Sequence, residues 1–234
     1  MVRSSKKVVC AYCGRQAEKA EREHVIPKLL FPKPLPQIMV TVPACSQCNA
    51  EKKDDDEYLR DLLVIDHENA GVSVLEGPLK EKMLRAAGRG QSFLTRDMRD
   101  KTCLVPVRTP AGLYAGHTLG VPLDSERANR LFSRIVRGLH FKLYTRRLPD
   151  DCAFEVRRIH PHSKQHVVNT LYQMGVRVSR DIGESFQCMH AVDAKDPTMT
   201  YWLMRFFNIY ISVSTNFDNP STTAAPAILT SWLK

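Results

Sequence analysis

The chain has 234 residues, of which 43% are hydrophobic and 25% charged, a composition that suits a folded protein with one large domain or two small ones. No apolar run approaches the roughly 20 residues of a membrane-spanning helix, and the basic start reaches Cys10 before a signal-peptide apolar region could form. The sequence therefore predicts no membrane partner and a cytoplasmic location, or a nuclear one in a cell with a nucleus. The formal net charge of +9 favours a polyanionic partner such as nucleic acid, although many basic proteins bind none.

Two Cys-x-x-Cys pairs organise the first part of the chain. Cys10/Cys13 and Cys45/Cys48 have the spacing in which two thiolates bend round one metal ion, and two such pairs complete a tetrahedral shell of four sulfurs. Because a closed shell leaves no open position, we expect structural Zn²⁺; an iron site of the same geometry and a redox pair are the alternatives. The total of seven cysteines is odd, which argues against a disulfide framework.

The residues around the second pair predict a strand and a helix, after a basic N-terminal tail and a proline-rich loop. The β-branched run at residues 38–42 predicts a strand that leads into the second pair. A helix is predicted from near Asn49 or Asp54 to about Ile65. The carboxylates at residues 54–57 suit the positive end of a helix dipole, on a face that we expect to be solvated.

The remaining chain predicts a mixed α+β region with an antiparallel sheet. Residues 83–87 indicate a short helix ended by Gly88. A longer helix begins at Asp124 or Ser125 and ends before Pro149, because apolar residues recur at the 3–4 spacing of one buried face. Strand-like composition is found in four segments: residues 104–107, 112–116, 154–159 and 201–213.

The opposite face of the longer helix is basic. Arg130, Arg134 and Arg137 share one side of it, which makes them candidates for contacts with nucleic-acid phosphates. The alternative is a solvated face over an apolar core. Lys52 and Lys53, taken as exposed, are further candidates for phosphate contacts. No base-reading motif is visible.

A carboxylate and an imidazole stand side by side between the two cysteine pairs. Glu23 and His24 are adjacent, so in a strand their side chains leave on opposite faces, and one can ligate a metal ion while the other faces a substrate. The run Glu-His-Val-Ile-Pro at residues 23–27 lies between the pairs, and Asn49 directly follows the second one. With these features the first quarter of the chain resembles the HNH endonuclease family in its zinc-knuckle form.

The resemblance implies a ββα-metal fold, in which a hairpin and a helix hold one divalent cation against the scissile phosphate. It implies His24 as the general base for water, and Glu23 and Asn49 as ligands of a catalytic Mg²⁺ or Mn²⁺ ion. It divides the chain into a zinc-stapled HNH domain at residues 1–66 and an α+β accessory domain of unassigned role at residues 67–234. The implied activity is hydrolysis of DNA, in preference to RNA, with a dimer or two visits needed to cut both strands.

One position departs from the family pattern. The family's middle Asn, which supports the loop or orients the His, corresponds to Val40 in this sequence. A backbone carbonyl or the side chain of Thr41 or Gln37 can take its place, and loss of cleavage is the alternative. A zinc-containing module that binds nucleic acid without cutting it is therefore the second hypothesis.

Overall fold

The computed structural model describes residues 8–17, 20–90, 101–109, 111–120, 123–159, 163–173 and 177–216. Within these ranges the protein has the mixed α+β structure that the sequence predicts. Of the predicted N-terminal tail, only Val8–Val9 is described, and these two residues form a short strand. Among the described residues, no helix has both the length and the apolar character needed to span a membrane.

Two small antiparallel hairpins and two consecutive helices form the N-terminal part. The strands pair as β1 (Val8–Val9) with β2 (Gln16–Ala17), and β3 (Glu21–His24) with β4 (Thr41–Ala44). They are followed by the helices α1 (Ser46–Glu51) and α2 (Lys53–Ile65). This order places a hairpin, β3–β4, directly before a helix.

The boundaries differ from the predicted ones in two places. The strand predicted at residues 38–42 begins only at Thr41, because Ile38 is exposed and lies outside the hairpin. The single predicted helix is divided into α1 and α2. Lys52, at the junction, keeps helical backbone angles (φ −85°, ψ −16°), so the two helices follow each other with little change of path.

A third hairpin is formed in the middle of the chain. Helix α3 (Lys80–Gly88) ends at the predicted glycine. Strand β5 (Cys103–Arg108) then pairs antiparallel with β6 (Tyr114–Gly120). The first predicted strand fragment is confirmed and extended at both ends, whereas the second, predicted at residues 112–116, begins only at Tyr114 and continues to Gly120. None of the residues in these two strands is buried. We call this hairpin the β5–β6 arm.

A long helix and a five-stranded sheet form the C-terminal part. Helix α4 (Ser125–Tyr144) is the predicted amphipathic helix, and Asp124 caps it by accepting a hydrogen bond from Arg127 N at 2.9 Å. The antiparallel sheet has the strand order β7–β11–β10–β9–β8, and helix α5 (Lys164–Gln173) precedes β8. Its strands are β7 (Phe154–Ile159), β8 (Arg177–Ile182), β9 (Phe186–Val192), β10 (Thr200–Phe206) and β11 (Ile209–Thr215).

One hydrophobic core extends across the boundary predicted between residues 66 and 67. Helix α4 packs against α2 on one side and against β7 on the other. Tyr58 and Leu59 of α2, Phe132 of α4, and Trp202 and Phe206 of the sheet belong to the same buried cluster. The division into two domains stays a prediction, but the N-terminal part buries its apolar side chains against α4 and not within itself alone.

Candidate functional site

The four paired cysteines converge at one point. The Sγ atoms of Cys10, Cys13, Cys45 and Cys48 all lie within 4.8 Å of one another, and Cys13 Sγ is 3.8 Å from Cys45 Sγ. Zn–S bonds of about 2.3 Å in a tetrahedron place the sulfurs about 3.8 Å apart, so these distances fit a four-sulfur site. The cluster can hold a structural metal ion such as zinc, as the sequence predicts.

Local backbone structure brings the two cysteine pairs together. The first pair lies at the turn between β1 and β2, and Ala11 N donates a hydrogen bond to Pro43 O at 2.9 Å, which joins this turn to β4. In the second pair, Cys45 is the N-cap of α1, and its Sγ accepts from Cys48 N at 3.5 Å. The cluster therefore ties both hairpins to the start of α1.

The protonation of these thiols favours a bound cation. Burial raises the pKa of Cys48. Burial acts in the same direction on Cys13, but hydrogen bonds from Arg15 and from neighbouring thiols lower the pKa of Cys13 to about 6, with Arg15 Nε 3.3 Å from Cys13 Sγ. One thiolate is thus stable at neutral pH, whereas four adjacent thiolates repel one another. A divalent cation resolves this conflict because it stabilises every thiolate that ligates it.

Beside the cysteine cluster, one face of β3 is turned towards α1. Glu21 and Glu23 are two residues apart in the strand, so both side chains project from this face. Glu21 is exposed, and its Oε2 accepts a hydrogen bond from Asn49 Nδ2. Asn49 directly follows Cys48, so the cysteine cluster fixes its position. We call Glu21 and Asn49 the outer pair.

The outer pair has the chemistry of a hard-metal site. A carboxylate oxygen and an amide oxygen are the donors that Mg²⁺ and Mn²⁺ prefer. The amide of Asn49 now donates to Glu21, and rotation of this amide group would present Oδ1 in place of Nδ2. The residues present therefore fit a hard divalent cation on this side of β3.

Further inside, three charged side chains form what we call the inner cluster: Glu23, Lys52 and Asp56. Glu23 is only 4% exposed, and its Oε1 forms an ion pair with the ammonium of Lys52. Lys52 Nζ also lies 3.2 Å from Asp56 Oδ2 and donates to the carbonyl of His24 at 2.6 Å. Burial raises the pKa of Asp56 to about 6, although Lys52 acts against this rise.

The two predicted metal ligands, Glu23 and Asn49, therefore have different polar partners in this structure. Asn49 contacts Glu21, and Glu23 is neutralised by Lys52. The expectation that Lys52 is exposed is wrong, because the residue is 8% exposed and both Glu23 and Asp56 hold its ammonium.

His24 is the last residue of β3, and it is half-buried. Because neighbouring residues of a strand alternate, its side chain leaves β3 on the face opposite to Glu23. Burial lowers the pKa of His24 to about 4, and the positive charges of Lys28, Lys52 and Arg22 add to this effect. The imidazole is therefore neutral at neutral pH and able to accept a proton.

The position of the family's middle Asn is filled by apolar packing. Val40 is buried, and its carbonyl accepts a hydrogen bond from Val25 N at 3.0 Å. Thr41, the cross-strand partner of His24, accepts a hydrogen bond from Arg22 Nε at 3.0 Å. Backbone pairing and this side-chain hydrogen bond thus hold the hairpin beside His24.

The basic face of α4 is turned towards the N-terminal part of the protein. Arg130 donates to both carboxylate oxygens of Asp55, at 2.9 and 2.8 Å, and Arg127 Nε donates to Asp55 Oδ1 at 3.1 Å. Asp55 is 4% exposed, so the prediction of a solvated face at residues 54–57 is wrong for this residue. An ion-paired carboxylate with two arginines is stable there because hydrogen bonds offset the cost of burial.

Two more arginines of α4 also bind the protein itself. Arg134 donates to Cys48 O, and its guanidinium lies over the ring of Tyr12, 4.4 Å from the centroid. Arg137 donates to Leu148 O and Pro149 O at 3.0 and 2.9 Å. The prediction that Arg130, Arg134 and Arg137 bind phosphates stays a prediction, but these hydrogen bonds already use donors of all three. Lys53 is exposed, as expected.

Glu21 is the functional candidate that the sequence reading missed. The available signal was the alternation of the strand, since a residue two positions before Glu23 shares its face. The contact with Asn49 links residues 28 positions apart, and no local pattern reveals it.

Comparison of the chain with protein-family models, with curated proteins and with solved structures gave no significant match in any of the three.

Proposed function

We propose that this protein is a metal-dependent HNH-type endonuclease that hydrolyses phosphodiester bonds of DNA. One observation carries the proposal: two carboxylates project from one face of β3, Asn49 of α1 contacts the outer one, and a neutral His24 is the last residue of the same strand. A four-sulfur cluster ties this hairpin to the helix that carries Asn49. The arrangement agrees with the resemblance in sequence, and that resemblance is what implies DNA, in preference to RNA, as the substrate.

In this proposal Asn49, Glu21 and Glu23 hold a Mg²⁺ or Mn²⁺ ion. The outer pair is accessible as it stands, whereas Glu23 becomes a ligand only when Lys52 releases it. The cation, when bound, would stabilise the charge that develops on the phosphate and on the leaving 3′ oxygen. Lys52 keeps the inner carboxylate neutralised until then, which lowers the cost of burying it.

His24 takes the proton from the attacking water. The water oxygen forms the new bond to phosphorus, and the bond between phosphorus and the 3′ oxygen breaks. Arg22 and Lys28 place positive charge near His24, which favours the anionic phosphate at this end of β3. A bound phosphate in turn raises the pKa of His24 towards neutral pH, where an imidazole is an effective general base.

The test is cleavage of supercoiled plasmid by protein that has been dialysed free of loosely bound cations and checked for retained zinc. We expect nicking after addition of Mg²⁺ or Mn²⁺ and none without it. Glu21→Gln and Asn49→Ala should each slow nicking by roughly 10- to 100-fold. The matched control is Glu51→Gln. It removes a carboxylate from α1, the helix that carries Asn49, at a position outside the outer pair.

A zinc-containing module that binds DNA without cutting it is the second candidate. Two observations favour it: Lys52 neutralises Glu23, and Val40 stands where the family has an Asn. Retention of plasmid by the wild-type protein, without nicking under any added divalent cation, would replace the nuclease proposal with this one.

A further inference from the structure

The β5–β6 arm has no place in the proposed site. Among the described residues, its two strands pair only with each other, and the large apolar side chains of Leu104, Leu113 and Leu119 are 68%, 68% and 71% exposed. Leu104 and Leu119 face each other across the two strands, and Leu113 lies at the turn. An isolated two-stranded hairpin is marginally stable in water, so an arm of this kind calls for a surface that covers it.

The charged side chains of the arm are all basic. Lys101, Arg108 and His117 are exposed, and no Asp or Glu occurs between residues 101 and 120. Arg108 is held at the turn by a hydrogen bond from Nη1 to Gly112 O at 3.1 Å. The arm thus carries basic groups near its base and at its turn, with apolar side chains between them, and this combination favours a polyanionic partner that also offers apolar contacts.

We propose that the β5–β6 arm lies in the major groove of the duplex DNA on which the proposed nuclease acts. The major groove is about 12 Å wide and admits a two-stranded ribbon, whose strands are about 4.8 Å apart. The seven residues of β6 reach about 24 Å, enough to follow the groove. Lys101 and Arg108 contact phosphates, and the exposed leucines contact thymine methyl groups, which only the major groove presents.

A second copy of the chain is the competing occupant, and two features of the arm disfavour it. Pro106 has no N–H, and the register shifts between Val107 and Arg108, so the edge of β5 is a poor template for pairing with another strand. Two copies would also bring together arms of the same positive charge. The inference rests on the proposed function only in taking DNA as the partner.

The experiment measures binding to a short fluorescent A·T-rich duplex by anisotropy, with no divalent cation added, so that binding is observed without cleavage. Lys101→Glu with Arg108→Glu should weaken binding by at least about tenfold and should reduce the salt slope by about two units, one for each lost phosphate contact. Leu104→Ser with Leu119→Ser should weaken binding and leave the salt slope unchanged. The charge-matched control is Lys142→Glu with Lys195→Glu, at two exposed lysines outside the arm.

Equal binding by the arm variants and the control would overturn the inference. So would a wild-type protein that binds no duplex, or a self-association that the arm variants abolish in sedimentation. The outcome for the proposed function is separate, because it is read from nicking. Binding that depends on the arm, without any nicking, would support the arm proposal and contradict the nuclease proposal. Nicking by a protein whose arm variants bind DNA as well as the wild type would contradict only the arm proposal.

Discussion

The outer pair and the inner cluster lie on the same face of β3, two residues apart, and differ in almost every other respect. Glu21 is exposed and contacts an amide, whereas Glu23 is buried and holds an ammonium. Strand alternation puts both carboxylates on one face, but the packing of Lys52 and α2 decides which of them solvent can reach. We infer that the outer pair serves binding and chemistry, whereas the inner cluster first of all serves stability.

Disruption of the four-cysteine cluster, which can hold a structural metal, should have the largest effect, because the cluster supports both regions. Cys45→Ser should abolish stoichiometric zinc and cost on the order of 10 kcal/mol of the metal-linked free energy of folding. Hydrogen exchange should then accelerate in residues 41–65 more than in the five-stranded sheet. Cys188→Ser, at a buried thiol of β9, is the control and should keep its zinc. Retained zinc in Cys45→Ser would contradict the four-sulfur site.

Disruption of the inner cluster should have the second-largest effect. Lys52→Met leaves the buried Glu23 without its ammonium and should lower the free energy of unfolding by about 3 kcal/mol, measured by urea denaturation. The triple variant Lys52→Met with Glu23→Leu and Asp56→Asn should recover most of this loss, because both carboxylates that faced the ammonium are then removed. An unchanged unfolding midpoint in Lys52→Met would show that the ion pair has no structural role.

The outer pair should respond in the opposite way. Glu21→Gln should change the free energy of unfolding by less than about 0.5 kcal/mol, because the side chain is exposed. Its affinity for Mn²⁺, measured by titration calorimetry, should fall by roughly 10-fold or more. A variant that loses stability and keeps its Mn²⁺ affinity would reverse the distinction between the outer pair and the inner cluster.

Local pattern was sufficient for the features that depend on nearby residues. The Cys-x-x-Cys spacing predicted the four-sulfur cluster, and the 3–4 apolar spacing with an Asp cap predicted α4. Local pattern could not predict which partners the polar side chains would contact. Asp55 meets Arg127 and Arg130 across more than 70 positions of sequence, so a face that reads as solvated becomes an internal contact.

The same limit explains the missed contact at the outer pair. The resemblance pointed to Glu23 and Asn49, and the sequence gives no means to see that Lys52 neutralises the first or that Glu21 meets the second. Both outcomes depend on how α1 and α2 pack across β3. The charge pattern indicated a basic helix but could not show which of its basic groups the protein itself would bind. The modest charge of residues 101–120 gave no indication that the β5–β6 arm would be exposed.

Removal of the His24 imidazole tests the central claim most directly. His24→Ala should slow Mg²⁺- or Mn²⁺-dependent plasmid nicking by about 10²- to 10⁴-fold, while zinc content, unfolding midpoint and duplex affinity stay at wild-type values. His67→Ala, at an exposed histidine after α2, is the control and should cleave normally. Cleavage by His24→Ala at a rate close to that of the wild type would contradict the assignment of His24 as the general base.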